Sequence, residues 1–206
     1  AAAPAQRGER RIEQRSADRI DAPDLGCGGS VFAHIAYPRQ LALKSEIIGD
    51  AFRRIGKLPL EQPVEVTGSP IDGYRMRARL HLRGGRLGFF REGTHELCGY
   101  AGTRQLLPAS TRVLDRVGEL LASQTIGAEV ELSETVDASA RAMHFDLSFE
   151  GDAKRIAALR DIDGLTGVSF AIAGDPRTME LHGSPIVTDQ INGITLSRHV
   201  RSFFQG

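Results

Sequence analysis

Between residues 38 and 56, apolar side chains recur at helical spacing. Leu41, Ile47, Ile48, Ala51, Phe52 and Ile55 form one stripe, and Arg39, Lys44, Glu46, Asp50, Arg53 and Arg54 lie mostly off it. This predicts an amphipathic helix closed by Gly56. The period then changes from 3.6 to two. In "YRMRARLHLR", residues 74–83, Tyr74, Met76, Ala78, Leu80 and Leu82 alternate with Arg75, Arg77, Arg79, His81 and Arg83, which predicts a half-buried strand. Gly84-Gly85 predicts a hairpin turn into a second strand at 86–91.

Further along, Pro108 opens a second helix reaching residue 122, with Leu114, Val117, Leu120 and Leu121 inward. A strand is expected near 128–132, and another in "AMHFDLSF", where Met143, Phe145, Leu147 and Phe149 alternate with polar residues. A short helix at 152–161 leads to strand-like "GVSFAIA", "TMELHG" and "GITLSRHV". No internal repeat is present. Strands separated now by helices, now by turns, favour an α+β fold of antiparallel sheets with packed helices over a doubly wound one.

Composition adds limits. The 206 residues, 41% of them hydrophobic, are enough for a packed core. No apolar run approaches the ~18 residues that would span a bilayer. The opening segment, 1–20, is polar and has no apolar signal core, so a cytoplasmic location without membrane contact is the default expectation. Two cysteines, Cys27 and Cys98, make no disulfide framework; reduced thiols are expected, although a single bridge is compatible with the sequence. Six scattered histidines show no convincing metal-ligand spacing, and no "GxSxG" nucleophile motif occurs.

Formal net charge is zero, so affinity for nucleic acid must come from a local patch. Residues 75–91 supply one, with Arg75, Arg77, Arg79, Arg83, Arg86, Arg91 and no acidic residue. Like charges this close repel unless neutralised, either by carboxylates from elsewhere in the fold or by the phosphates of a ligand. Both readings stay open at this point. Tyr74, Phe89 and Phe90 are candidate base-stacking rings, with alternation placing Tyr74 on the buried face.

The glycine-rich "DLGCGGS" at 24–30 invites a nucleotide or S-adenosylmethionine reading. Its context argues against that. The preceding residues are charged and end in Pro23, where a cofactor loop needs a buried strand.

"CGGSVFAHIAYPRQLALKSEIIGDAFRRIGKL", "GSPIDGYRMRARLHLRGGRLGFFREGTHEL" and the final "SFFQG" resemble the RNA (uracil-5-)-methyltransferase family. In that family a C-x5-C-G-G-C segment precedes "QH-x-x-Y-x-x-Q-L-x-x-K", whose spacing His34, Tyr37, Gln40, Leu41 and Lys44 keep. The later "S-P-x-x-Y-R-x-R" looks like Ser69, Pro70, Tyr74, Arg75 and Arg77, with one extra residue before Tyr74.

The resemblance implies that the glycine-rich segment is a cluster-binding segment with the cluster taken away. Cys27 holds the second cysteine position, Asp21 and Ser30 stand at the first and third, and the fourth falls near Thr103. Four thiolates are needed for a [4Fe–4S] cluster, so none is expected here. The resemblance further implies that 21–200 form a central RNA-binding domain and that 201–206 begin a methyltransferase domain. Arg75, Arg77, Arg79 and Lys44 would contact structured ribosomal or transfer RNA. Phe203 and Gln205 would contact the flipped uracil, and Phe204 would point into the core. The parent protein is expected to use S-adenosylmethionine to methylate uridine C5, whereas this chain, expected as a monomer, would itself bind no cofactor and be inactive. The alternative is a stand-alone RNA-binding or protein-interaction module.

Overall fold

The alternating segment after Gly73 becomes the strand around which a seven-stranded sheet is built. A computed structural model describes residues 26–28, 32–175 and 177–203. The expectations for 1–20, Asp21, Asp24, Ser30, Phe204 and Gln205 lie outside these residues.

In chain order the elements are α1 (Tyr37–Arg54), β1 (Arg77–Arg83), β2 (Arg86–Phe90), β3 (Leu97–Cys98), a 3-10 turn at Ala101–Thr103, and α2 (Pro108–Leu121). They continue with β4 (Gly127–Glu134), β5 (Arg141–Leu147), α3 (Asp152–Arg155), a 3-10 turn at Ala157–Asp161, β6 (Gly167–Ile172), β7 (Met179–Gly183), β8 (Ile186–Ile191) and β9 (Ile194–His199). The large sheet runs β3-β2-β1-β4-β5-β6-β7, and β8-β9 form a separate hairpin. The fold is thus mixed α/β, with few helices and a mostly antiparallel sheet. One pair departs from expectation: β5 and β6 are parallel, joined by the crossover through α3 and its 3-10 turn.

Register gives the sheet two different faces. On one, Ala78, Leu132, Met143 and Val168 lie in a row, followed by Leu80, Val130, Phe145 and Phe170, then Leu82, Ala128, Leu147 and Ile172. Val113, Leu114, Val117 and Leu121 of α2 join these rows in one buried core. The expected hairpin forms at Gly84-Gly85, pairing Arg83 with Arg86. Both glycines have positive φ, 55° and 74°, as a two-residue primed turn requires.

Several expectations are corrected. Tyr74 lies ahead of β1, escapes the alternation and is exposed. Phe149 is also exposed, because β5 ends at Leu147 and Phe149 turns to accept the Asp152 amide at 3.1 Å. The 152–161 helix breaks at Ile156 into an α turn and a 3-10 turn. The strand β8 was not foreseen. The helix α1 forms as expected, but none of its residues is buried, and the left-handed residue after it is Lys57 (φ 53°).

The expectation of reduced thiols is also overturned: Cys27 and Cys98 are joined by a disulfide. The fold brings them within reach. Cys27 forms a β-bridge with Arg91 just beyond β2, and Cys98 pairs with Phe89 from β3, leaving the Cα atoms 5.7 Å apart.

The β8-β9 hairpin covers one end of the second sheet face, where Val187 and Val200 bury Ala142. Charged groups fasten it there. Arg198 binds Asp189, donates to the Ser133 hydroxyl at 3.2 Å and to the Glu134 carbonyl, while Asp189 accepts the Val136 amide at 2.8 Å. Beside them Glu134 takes the Ser110 hydroxyl and the Arg141 Nε at 2.8 Å, and Arg141 reaches the Gly164 carbonyl at 2.9 Å.

Candidate nucleic-acid interface

Beyond the hairpin the second sheet face is exposed along its β1 edge, at Arg79, Arg83 and Glu129, while Glu131, His144 and Ser169 are buried, and its residues are set by the same register. Arg77, Ser133 and Ala142 form one row; Arg79, Glu131, His144 and Ser169 the next; His81, Glu129 and Asp146 the third; Arg83 and Gly127 the last. Basic residues of β1 therefore stand opposite acidic residues of β4. Glu131 binds Arg77 at 2.8 Å and Arg79 at 2.7 Å; Glu129 binds His81 at 2.8 Å and Arg83 at 3.0 Å.

Of the two readings left open for this face, the carboxylate pairing is what the fold contains. Its signal was present in "AEVELSE", where Glu129 and Glu131 alternate at the same period as the arginines they meet. The pairing is nonetheless incomplete. Two glutamates face Arg77, Arg79, Arg83, His81 and also Arg86, which stands across from Arg83 and makes no ion pair among the described residues. The side chain of Arg75 likewise makes none, while its backbone amide donates to Gln105 at 2.9 Å. Arg79 keeps 64% of its side chain exposed even while paired. An exposed guanidinium with one carboxylate partner retains donors for a phosphate.

The aromatic candidates fare differently. Phe89 is buried. Phe90 has a stacked partner: His81 lies parallel to it at 3.5 Å, His95 meets its edge at 5.3 Å and Arg83 sits 5.7 Å from the ring centroid. Tyr74, against expectation, is the exposed ring beside Arg75.

The motif residues of α1 work on local structure. Tyr37, Gln40, Leu41 and Lys44 share one helical face. The Tyr37 hydroxyl accepts the Ser69 amide at 2.7 Å and meets the Ser69 hydroxyl at 3.2 Å, bonds that hold the phenol below its ordinary pKa. Gln40 donates to the Phe32 and Ile35 carbonyls at 3.1 and 2.8 Å. Lys44 and His34 are exposed. Thus "Y-x-x-Q" ties the loop before α1 and the Ser69-Pro70 segment to one helix, leaving Lys44 accessible. Phe203 is 80% exposed.

Two other constellations resolve as structural. Ser169, His144 and Asp146 come together in the manner of a triad, at 2.8 Å and 3.3 Å, but the serine and histidine are fully buried and out of reach of any substrate. Within the glycine-rich segment the described residues 26–28 form no open cradle: the Gly26 carbonyl takes the Glu92 amide at 3.0 Å, and a Cβ on Gly28 would stand 2.9 Å from the Phe90 carbonyl. These three residues are pressed against a strand and do not fit a nucleotide there. Among the described residues no group of three metal-binding side chains exists and no helix is long and apolar enough to cross a membrane.

No family model matches the chain. Individual proteins do. It is 29% identical over 156 residues to a 23S rRNA (uracil(1939)-C(5))-methyltransferase of Chromobacterium violaceum, covering 73% of this chain and 28% of that protein. The corresponding enzyme of Azoarcus is 35% identical over 138 residues, 60% of this chain and 32% of the enzyme. An uncharacterized RNA methyltransferase of Listeria innocua is 24% identical over 94% of this chain and 49% of its own length. The chain thus spans between about a quarter and a half of the relatives it matches. In fold it is similar to the tRNA (uracil-54, C5)-methyltransferase of Pyrococcus abyssi, solved with S-adenosyl-L-homocysteine, at a TM-score of 0.63 and 19% identity over 87% of this chain and 46% of that one. In sequence the chain is thus similar to RNA uracil-C5-methyltransferases, and in fold to one of them.

Proposed function

We propose that the chain is the RNA-recognition region of an S-adenosylmethionine-dependent RNA uridine C5-methyltransferase, and that its open sheet face grips structured RNA through phosphates. The sequence likeness to enzymes acting on 23S rRNA carries this reading. The excess of arginine over glutamate on the face supports it, because a surface that neutralises phosphates needs positive charge left over after internal pairing. Arg75, Arg77 and Arg79 supply the contacts, with Lys44 at the margin and Tyr74 as the exposed stacking ring. Phe203 and Gln205 approach the uracil, where the glutamine amide matches the donor and acceptor pattern of its Watson–Crick edge. Methyl transfer from the cofactor belongs to the parent enzyme.

Titration of the protein with structured ribosomal or transfer RNA at several salt concentrations tests the reading. Replacing Arg75, Arg77 and Arg79 together by Ala is expected to weaken binding and to flatten the salt slope by up to about one unit per lost phosphate contact. An unchanged slope would favour the other reading, a protein-interaction module. The exposed Ile191, Ile194 and Leu196 on β8-β9, and Ile47, Phe52 and Ile55 around α1, are what speak for that module.

A further inference from the structure

The family resemblance implies an iron–sulfur cluster at the 21–30 segment, and the residues present do not fit one. Cys27, the matched thiolate, is bonded to Cys98. Thr103, at the fourth position, is buried and donates its hydroxyl to the Tyr100 carbonyl at 2.7 Å. The disulfide lies where a loop meets the sheet. Successive amides of an extended strand point to opposite sides. Arg91 donates to Glu96 at 2.8 Å, toward β3, and Glu92 donates to Gly26 at 3.0 Å, on the other side. The 26–28 loop therefore lies on the β1 side of the chain leaving β2, beyond the last β1-β2 pair at His81 and Gly88. One isolated bridge to Arg91 and the Gly26–Glu92 hydrogen bond are weak anchors. Even so, Cys27 is completely buried and belongs to the main core.

We propose that the Cys27–Cys98 disulfide is a redox-sensitive staple that fastens the 26–28 loop to the sheet edge, in place of the cluster implied for this segment. It closes a loop of 71 residues, long enough to constrain the unfolded chain substantially. Opening it takes two electrons and two protons from a dithiol. The S–S bond breaks, Cys27 and Cys98 become thiols, and the reductant becomes a disulfide. The loop then keeps its bridge and backbone bond to the strand, and two thiols replace the covalent link.

The test uses protein purified in air and, in parallel, without oxygen. The air-purified protein, unfolded and alkylated before reduction, is expected to take up no label; after incubation with dithiothreitol both cysteines are labelled. The reduced protein is expected to melt lower by on the order of 10 °C and to exchange the Glu92 amide faster, and reoxidation to restore both. The Cys27→Ser, Cys98→Ser double variant should melt with the reduced protein and ignore dithiothreitol. Should that variant not fold, the reduced wild type carries the comparison alone. Iron and sulfide in the oxygen-free preparation are expected well below one per chain. Labelling of either cysteine before reduction, an unchanged melt on reduction, or close to four irons per chain would each overturn the staple. RNA affinity is not a readout here, so failure of the interface reading leaves this result standing.

Discussion

The strand β4 carries carboxylates into two arginine clusters, and they are unlike. At its end, Glu134 is fully buried with Arg141, and beside it Asp189 and Arg198 are sealed beneath the β8-β9 hairpin. At its start, Glu129 and the buried Glu131 meet Arg77, Arg79, His81 and Arg83, and here Arg79, Arg83 and Glu129 stay exposed to water. Residue type is the same in both; burial makes the difference, against Ser110 of α2 for Glu134–Arg141 and beneath the hairpin for Asp189–Arg198. A sealed pair has no alternative partner, so losing one member strands a charge in a low-dielectric site. An open pair is screened and worth little, so its arginines can exchange a carboxylate for a phosphate at small cost. The first cluster holds two sheets together; the second is suited to a ligand.

Breaking the sealed cluster gives the largest expected effect. Asp189→Ala removes the carboxylate of Arg198 and the acceptor of the Val136 amide. Stability is expected to fall by about 3–5 kcal/mol, the range for a buried ion pair deprived of one partner. Chemical denaturation would show this as a lower midpoint with little change in slope. A loss below about 1 kcal/mol would mean that water enters beneath the hairpin and the two clusters do not differ.

Between the clusters sits His144, and pH reads how dry that part of the face is. Burial holds its pKa below the ordinary 6.5; Asp146 opposes this and Arg201, 3.8 Å from Asp146, adds to it. His199 is shifted the same way, by burial and then by Arg201. A histidine with a depressed folded pKa is protonated more readily in the unfolded chain. Its stabilisation is therefore intact above about pH 6.5 and is lost as pH falls from there toward the folded value. Stability measured from pH 8 to 5 should decline over that window, and His144→Asn should flatten the decline. A profile with the opposite slope would place a protonated His144 in the fold.

Much of this was legible in the sequence because periodicity and pairing agree. The alternation at 74–83 gave the faces of β1, Gly84-Gly85 gave the turn, and the apolar positions of α2 gave its buried side. The errors have physical causes. The period-two pattern runs through Tyr74 and Phe149, but β1 begins at Arg77, with one further bond from the Glu134 amide to Met76, and β5 ends at Leu147, and a side chain outside the ladder is not held to a face. For α1 the stripe foretold the helix, yet a stripe carries no information on what covers it. The disulfide was invisible because a separation of 71 residues matches no spacing rule and depends on how a loop adds to a sheet edge. On the candidate interface the arginines were legible, and their glutamate partners were available from the alternation of β4 but needed the β1-β4 register to be matched.

The smallest expected change in stability comes with the sharpest test of the open cluster. Glu131→Gln keeps the shape and an acceptor oxygen but removes the charge that Arg77 and Arg79 share. Glu131 is itself buried, but the amide keeps an acceptor and Arg79 stays largely exposed, so the cost to folding should be about 1–3 kcal/mol, below that of Asp189→Ala. If the open face binds phosphates, Glu131 competes with the ligand for both guanidinium groups. Removing its charge should then raise RNA affinity several-fold at about 100 mM salt and steepen the salt dependence by up to one unit per arginine released. Arg79→Ala should move both quantities the other way. The two variants pull apart a binding role and a structural one, since loss of a purely structural pair weakens RNA binding from either side or leaves it unchanged. Weaker RNA binding by Glu131→Gln, with folding intact, would show that the carboxylate positions the arginines for the RNA instead of competing with it.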